Sequence, residues 1–279
     1  VKRIVIFLGV LLLAIVVSAV VWVFSGQKKA ADGSSSFSSL SGDSADKKDS
    51  PPPVPKELVR RTRQMVEAKR QADLPDVVRL AGRSPEALLE KLAEMAKRDG
   101  EVSDVTYIGP MQNLTQPLEA VLVTFVSKRN RIVLFSPDSD GDWMIDFDGY
   151  ARATSIPWDE ILSGKNIEAT VRVYISLDSY YNGRFSNEDE WSCNGMASPD
   201  EGNLMFGYAK KDSAIDQAIR DSLKFKLDTG PAQSSRMLRM TLQIRHQEGD
   251  EKRQFEIIRA IADDWGTPPR ALEDHYQTH

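Results

Sequence analysis

Residues Ile4 to Phe24 (IVIFLGVLLLAIVVSAVVWVF) run without a single charge. At a helical rise of about 1.5 Å per residue the run spans roughly 30 Å, the thickness of a bilayer's hydrocarbon core. A water-soluble fold would have to enclose it on every side. Lys2 and Arg3 precede it, Trp22 suits the headgroup boundary, and Gln27, Lys28 and Lys29 end it. The sequence therefore predicts a transmembrane helix over residues 1–25, retained as a single-pass signal anchor. A cleaved signal peptide is the competing reading, but its apolar stretch is typically about 7–15 residues. This run is longer, and the small-residue triplet Val17–Ala19 lies inside it. No cysteine closely follows the run to carry a lipoprotein anchor. Lys2, Arg3 and the amino terminus narrowly outweigh Lys28 and Lys29, which Asp32 offsets in part. By the positive-inside rule the amino terminus is expected in the cytoplasm, with the bulk of the chain in the periplasm or cell envelope.

Residues 26–55 read as a linker. Ala31 to Pro55 (ADGSSSFSSLSGDSADKKDSPPPVP) is dominated by Ser, Gly, Asp and Pro. Such a segment buries too little apolar surface to offset its ordering entropy, and Pro51–Pro53 favours an extended polyproline path. From residue 56 the pattern turns helical. Leu58, Val59, Met65 and Val66 form a rough stripe that Asp73 and Pro75 interrupt. A short helix is expected through Val77, Val78 and Leu80, stopping at Gly82. Ser84 then caps a longer helix with Pro85 at its first position, an apolar stripe of Leu88, Leu89, Leu92 and Met95 or Ala96, and Gly100 as its stop.

The period then changes to two. SDVTYIG, LEAVLVTFVS, RIVLF and WMIDF read as successive antiparallel strands. Between the last two lies SPDSDGD, the start of an acidic stretch holding Asp138, Asp140, Asp142, Asp146 and Asp148. A calcium loop of the EF-hand type needs acidic residues at positions 1, 3 and 5, Gly at 6 and Glu at 12. Placing Gly141 at position 6 puts Ser136 at position 1 and Phe147 at position 12, so that register fails. Pro and Asp-Gly between two β-rich runs are the chemistry of a hairpin loop. Alternation puts Trp143, Ile145 and Phe147 on a buried strand face and Asp146 with Asp148 on the other.

The order of elements from Lys56 to Tyr150, and the short hairpin carrying Gly141, Trp143 and Ile145, resemble the NTF2-like superfamily. That resemblance implies an α+β domain over residues 56–150, a cone of helices against a bent antiparallel sheet. It also implies either a non-enzymatic pocket or assembly module, or an isomerase or dehydratase with an acid–base group in an apolar pocket. No His lies in this block, which leaves Asp146 as the pocket carboxylate to test. Residues 156–268 read as a second antiparallel-sheet α+β domain, with one helix over DSAIDQAIRDSLKFKL, and residues 269–279 as a polar tail.

Composition narrows the function classes. Apolar residues make up 41% of the 279, enough for real cores, while the net charge of −5 speaks against a nucleic-acid partner. One cysteine, Cys193, allows no intrachain disulfide, and three histidines, His246, His275 and His279, leave little for zinc. No cofactor motif and no metal site is expected. Cys193 reads as a buried thiol, with His246 as the partner a nucleophile would need. Tyr180, Tyr181 and Phe185 read as edge packing or an aromatic ligand wall. Arg60, Arg61 and Arg63 read as a solvated helix face, or as a docking surface for anionic headgroups or cell-wall polymers. The expectation is a non-catalytic binding or scaffolding protein anchored at the cell envelope. The alternatives are an NTF2-like enzyme using Asp146, and an assembly component of a secretion or envelope complex.

Overall fold

The first helix begins where a proline sits at its first turn and the residue before it is extended. Val54 has ψ 149°, and α1 (Pro55–Val66) follows with Leu58, Thr62 and Met65 buried at helical spacing. The computed structural model describes residues 50–229 and 237–277. Ser84 caps α2 (Pro85–Asp99) by accepting from the Ala87 amide at 3.3 Å, and Gly100 ends it at φ 86°. Between the helices the chain is extended: β1 (Val78–Arg79) occupies the place of the expected short helix.

The first sheet holds β1, β2 (Val102–Met111), β3 (Leu118–Phe125), β4 (Asn130–Pro137) and β5 (Trp143–Asp146), in the order β1-β5-β4-β3-β2. β2 to β5 are antiparallel neighbours; β1 lies parallel to β5, with Val78 opposite Ile145 and Arg79 opposite Asp146. The acidic loop is a turn. The Asp138 carboxylate accepts from the amides of Asp140 and Asp142 at 2.9 Å each, and Gly141 has φ 84°. Its side chain thus stabilises the turn's own backbone. The strand stops one residue earlier than alternation suggested: Phe147 opens the short helix α3 (Phe147–Ala151). Trp143, Ile145 and Phe147 all join the core between the helices and the sheet.

After a one-turn helix α4 (Trp158–Ile161), the chain builds β6 (Ile167–Leu177), β7 (Trp191–Ala197), β8 (Leu204–Lys210), α5 (Ala214–Thr229), β9 (Leu238–His246) and β10 (Gln254–Ala262). The strands close into a barrel in the order β10-β8-β7-β6-β9. Closure comes from a parallel pairing of β10 with β8, Gln254 opposite Phe206 and Glu256 opposite Tyr208. Alternate residues of β6 and β9, from Ala169 to Ile175 and from Leu238 to Ile244, fill the interior. Of the expected polar tail, residues 269–277 are described, and Leu272, in the one-turn helix Leu272–His275, belongs to the barrel's core.

This architecture corrects the expectation of two α+β domains behind a transmembrane helix. The described residues are mostly sheet, in two sheets, one of them a small closed barrel, with few helices. Alternation within each strand was legible, but it says nothing of which strands meet at the ends of a sheet. Among the described residues no helix is long and apolar enough to cross a membrane. The run Ile4–Phe24 lies outside the described residues, as does the linker up to residue 49, so the expected membrane-spanning signal anchor gains no support from the structure.

The domains meet along the strap that follows β10. Trp265 donates from Nε1 to the Val173 carbonyl at 3.1 Å, and Arg172 of β6 donates to the carbonyls of Trp265 and Ala153 at 3.0 Å each. Gly149 lies so close that a Cβ there would sit 2.8 Å from the Trp265 carbonyl oxygen.

Candidate functional site

Asp146 is held in place by backbone. It caps α3, its Oδ1 accepting from Gly149 N at 2.8 Å and its Oδ2 from Thr267 N at 2.6 Å, with Arg79 3.5 Å away and 1% of the residue exposed. Both oxygens are engaged in local capping and in joining the domains. Asp148 pairs with Arg83 and lies 3.9 Å from Arg172. Arg60 and Arg61 both bind Glu57 on α1, at 2.7 and 2.6 Å, and Arg63 pairs with Glu67 at 3.0 Å. Exposed helix pairs of this kind are worth little to stability, and they leave the basic face partly neutralised.

In the barrel, Cys193 is buried against Phe185 and Tyr208, and donates to the Tyr180 carbonyl at 3.2 Å. Burial pushes its thiol up to about 11. His246 packs on Phe255 with Nδ1 3.0 Å from the Lys165 carbonyl. Cys193 and His246 are thus not brought together. Phe185 stacks flat on Tyr208 at 4.1 Å, and Tyr180 on Phe206 at 4.5 Å, so these aromatics pack on one another.

The feature that looks built to receive something lies elsewhere. Where the C-terminal ends of α1 and α2 part above the start of β2 and the end of β3, a cleft of about 440 Å³ opens. Val66, Leu92, Met95, Ala96, Val102 and Phe125 give it an apolar wall, Glu67, Lys69 and Glu101 add charge, and Tyr150 lines it. Only 2% of Tyr150 is exposed, and no hydrogen bond to its hydroxyl is found among the described residues. An apolar recess with a few placed polar groups is the usual form of a small-ligand site.

Beside Tyr150 sits a charge cluster, centred on the buried Arg131, that spans both domains. Arg131, its side chain 1% exposed, donates to Asp99 of α2 at 2.6 Å, to the Tyr150 carbonyl at 3.0 Å, and to Asp200 at 3.0 and 3.2 Å. Asp200 comes from the turn between β7 and β8. It also binds Arg152 at 2.6 Å and Arg98 at 3.2 Å, while Asp99 takes Arg98 at 3.1 Å and Arg129 at 3.5 Å. Burial alone would raise both carboxyls; Arg131, with Arg98 at Asp99 and Arg152 at Asp200, outweighs it and holds both below the usual carboxylate range. At the far end of β3, burial raises Glu119, which accepts from the Tyr107 hydroxyl at 2.5 Å.

Sequence reasoning passed over Tyr150 and this cluster. One signal was present: Arg131 falls in register with Val133 and Phe135, a charge on the inward face of RIVLF.

Fold and site together define a mostly-β protein of two coupled domains with an apolar cleft in the first. No protein-family model matches the chain, and neither a curated protein nor a solved structure matches it. Among the described residues no group of three or more His, Cys, Asp or Glu is placed to hold a metal ion.

Proposed function

We propose that this chain is a non-catalytic binding or scaffolding protein of the cell envelope, and that the cleft beside Tyr150 is where it binds. The observation that carries this reading is the cleft itself: an apolar wall, Tyr150 lining it with no hydrogen bond to its hydroxyl among the described residues, and a cross-domain charge cluster behind it. Preorganised walls lower the ordering cost of binding. The engagement of both Asp146 oxygens weighs against the acid–base alternative. The NTF2-like resemblance of residues 56–150 stands as part of the proposal, on the two helices that share a core with the first sheet. Placement outside the cytoplasm rests on the sequence of residues 1–29 alone.

Titration of the full chain with a naphthylamine fluorophore tests the reading. Saturable one-to-one binding is expected, and Ala96→Trp, at the exposed lip of α2, should abolish it while leaving the circular dichroism unchanged. Absence of saturable binding, or binding indifferent to Ala96→Trp, overturns the reading. A role in assembly is favoured by one separate observation: β2, ten residues long, is the outer strand of the first sheet. Light scattering of the full chain would show that role as a defined oligomer, lost when a proline replaces Thr106.

A further inference from the structure

The charge behind the cleft is unbalanced. Four arginines, Arg98, Arg129, Arg131 and Arg152, converge on two carboxylates, Asp99 and Asp200. Each carboxylate is shared by three of them, so the cluster keeps an excess of two positive charges. Tyr150 sits against it: the Arg131 guanidinium lies 5.9 Å from its ring centroid. At the rim, Glu67 is answered by Arg63, and Lys69 and Glu101 bring one charge of each sign. The rim is thus close to neutral, and the positive excess lies behind Tyr150, on arginines that do not themselves line the cleft.

We infer that the cleft takes a monoanionic amphiphile, an apolar chain or ring bearing a single carboxylate, with that carboxylate accepting a hydrogen bond from the Tyr150 hydroxyl. This deepens the binding reading above and rests on it. The apolar wall from Val66 to Phe125 covers the hydrocarbon part. The carboxylate gives the Tyr150 hydroxyl, which has no hydrogen bond among the described residues, an acceptor and partly offsets the excess of arginine charge. Tyr150 suits the role as a permanent donor. Burial pushes its phenol far above the ordinary value, and although Arg131, Arg152 and Arg98 pull the other way and Asp99 adds to the rise, it stays protonated across the physiological range. A cationic head in the same position would face the arginines, and an uncharged one would gain nothing from them.

Displacement of the naphthylamine fluorophore from the full chain by decanoate, decanol and decyltrimethylammonium tests the inference. Decanoate is expected to compete at least about tenfold more tightly than either other probe, the usual worth of a hydrogen bond to a charged group. Tyr150→Phe keeps the buried ring and should erase most of that selectivity. Equal or tighter binding of decanol or of the cation, or selectivity that survives in Tyr150→Phe, overturns the carboxylate claim while leaving an apolar binding cleft. Failure of the fluorophore to bind at all removes the cleft reading and this inference with it.

Discussion

Asp263 follows β10 beside the loop that joins β2 to β3, and asparagine at this position tests how the seam between the domains is charged. The residue is 1% exposed. Its Oδ2 accepts from Leu114 N at 2.6 Å and its Oδ1 from Thr115 Oγ1 at 3.4 Å. Burial pushes the carboxyl up from 3.8 to about 6; the Leu114 amide and Lys226 pull it down, and neighbouring Asp264 pushes it further up. A raised folded-state value means that the folded protein prefers the protonated acid. The stabilisation this gives is complete below the unfolded value near 4 and is lost as pH rises through about 6. Two units at about 1.4 kcal/mol each make the ionised carboxylate a burden of about 3 kcal/mol at pH 8. Asparagine keeps an acceptor for Leu114 and carries no charge, so Asp263→Asn should raise stability at pH 8 by about 1–3 kcal/mol. The gain should shrink toward zero as pH falls to 4. Urea denaturation of both proteins at intervals from pH 4 to 8 gives the difference directly. A loss of stability at pH 8, or a difference that does not vary with pH, would refute the reasoning.

Arg131→Met should cost roughly 3–5 kcal/mol by leaving Asp99 and Asp200 buried beside fewer cations, and the urea midpoint should fall accordingly. In the unsubstituted protein these two carboxylates, depressed in the fold, contribute stability that is present above about pH 4 and lost as pH falls through their folded values. Acid titration followed by near-ultraviolet circular dichroism should therefore show an unfolding limb that Arg131→Met shifts to higher pH. Gly149→Ala forces a methyl against the Trp265 carbonyl and should destabilise by about 1–3 kcal/mol, with faster hydrogen exchange at Thr267. Asp146→Asn leaves one of the two amides, Gly149 N or Thr267 N, facing a side-chain NH2 instead of an acceptor, and a loss of about 1–3 kcal/mol of stability, read from denaturant midpoints, is expected; an unchanged midpoint would contradict the capping geometry.

What could be read in the residues was local. Ser84 and Gly100 mark the ends of α2 because capping is decided within four residues. The period-two runs mark the strands for the same reason. What could not be read depends on distant partners. Val78 and Arg79 are two residues with no strand signature, extended because β5 lies beside them. The barrel follows from Gln254–Glu256 meeting Phe206–Tyr208, a parallel pairing that no pattern inside either strand announces. Asp146 looked like a candidate acid because a carboxylate's partners are invisible in sequence when they are backbone amides such as Thr267, far along the chain. Asp200, within an ordinary turn sequence, becomes the centre of the charge cluster only when the second domain is set against the first.

The parallel contact between β8 and β10 also sets a schedule. While the chain is being made, β8 is complete long before β10 leaves the ribosome, and α5 and β9 must be synthesised in between. Through that interval one side of β8 is an unsealed edge, carrying backbone groups ready to pair with any strand that passes. The last strand to emerge is therefore the one that seals the ring. Damage to Gln254–Ala262 would do more than remove one strand, because it would return β8 and β9 to the open state of the nascent chain.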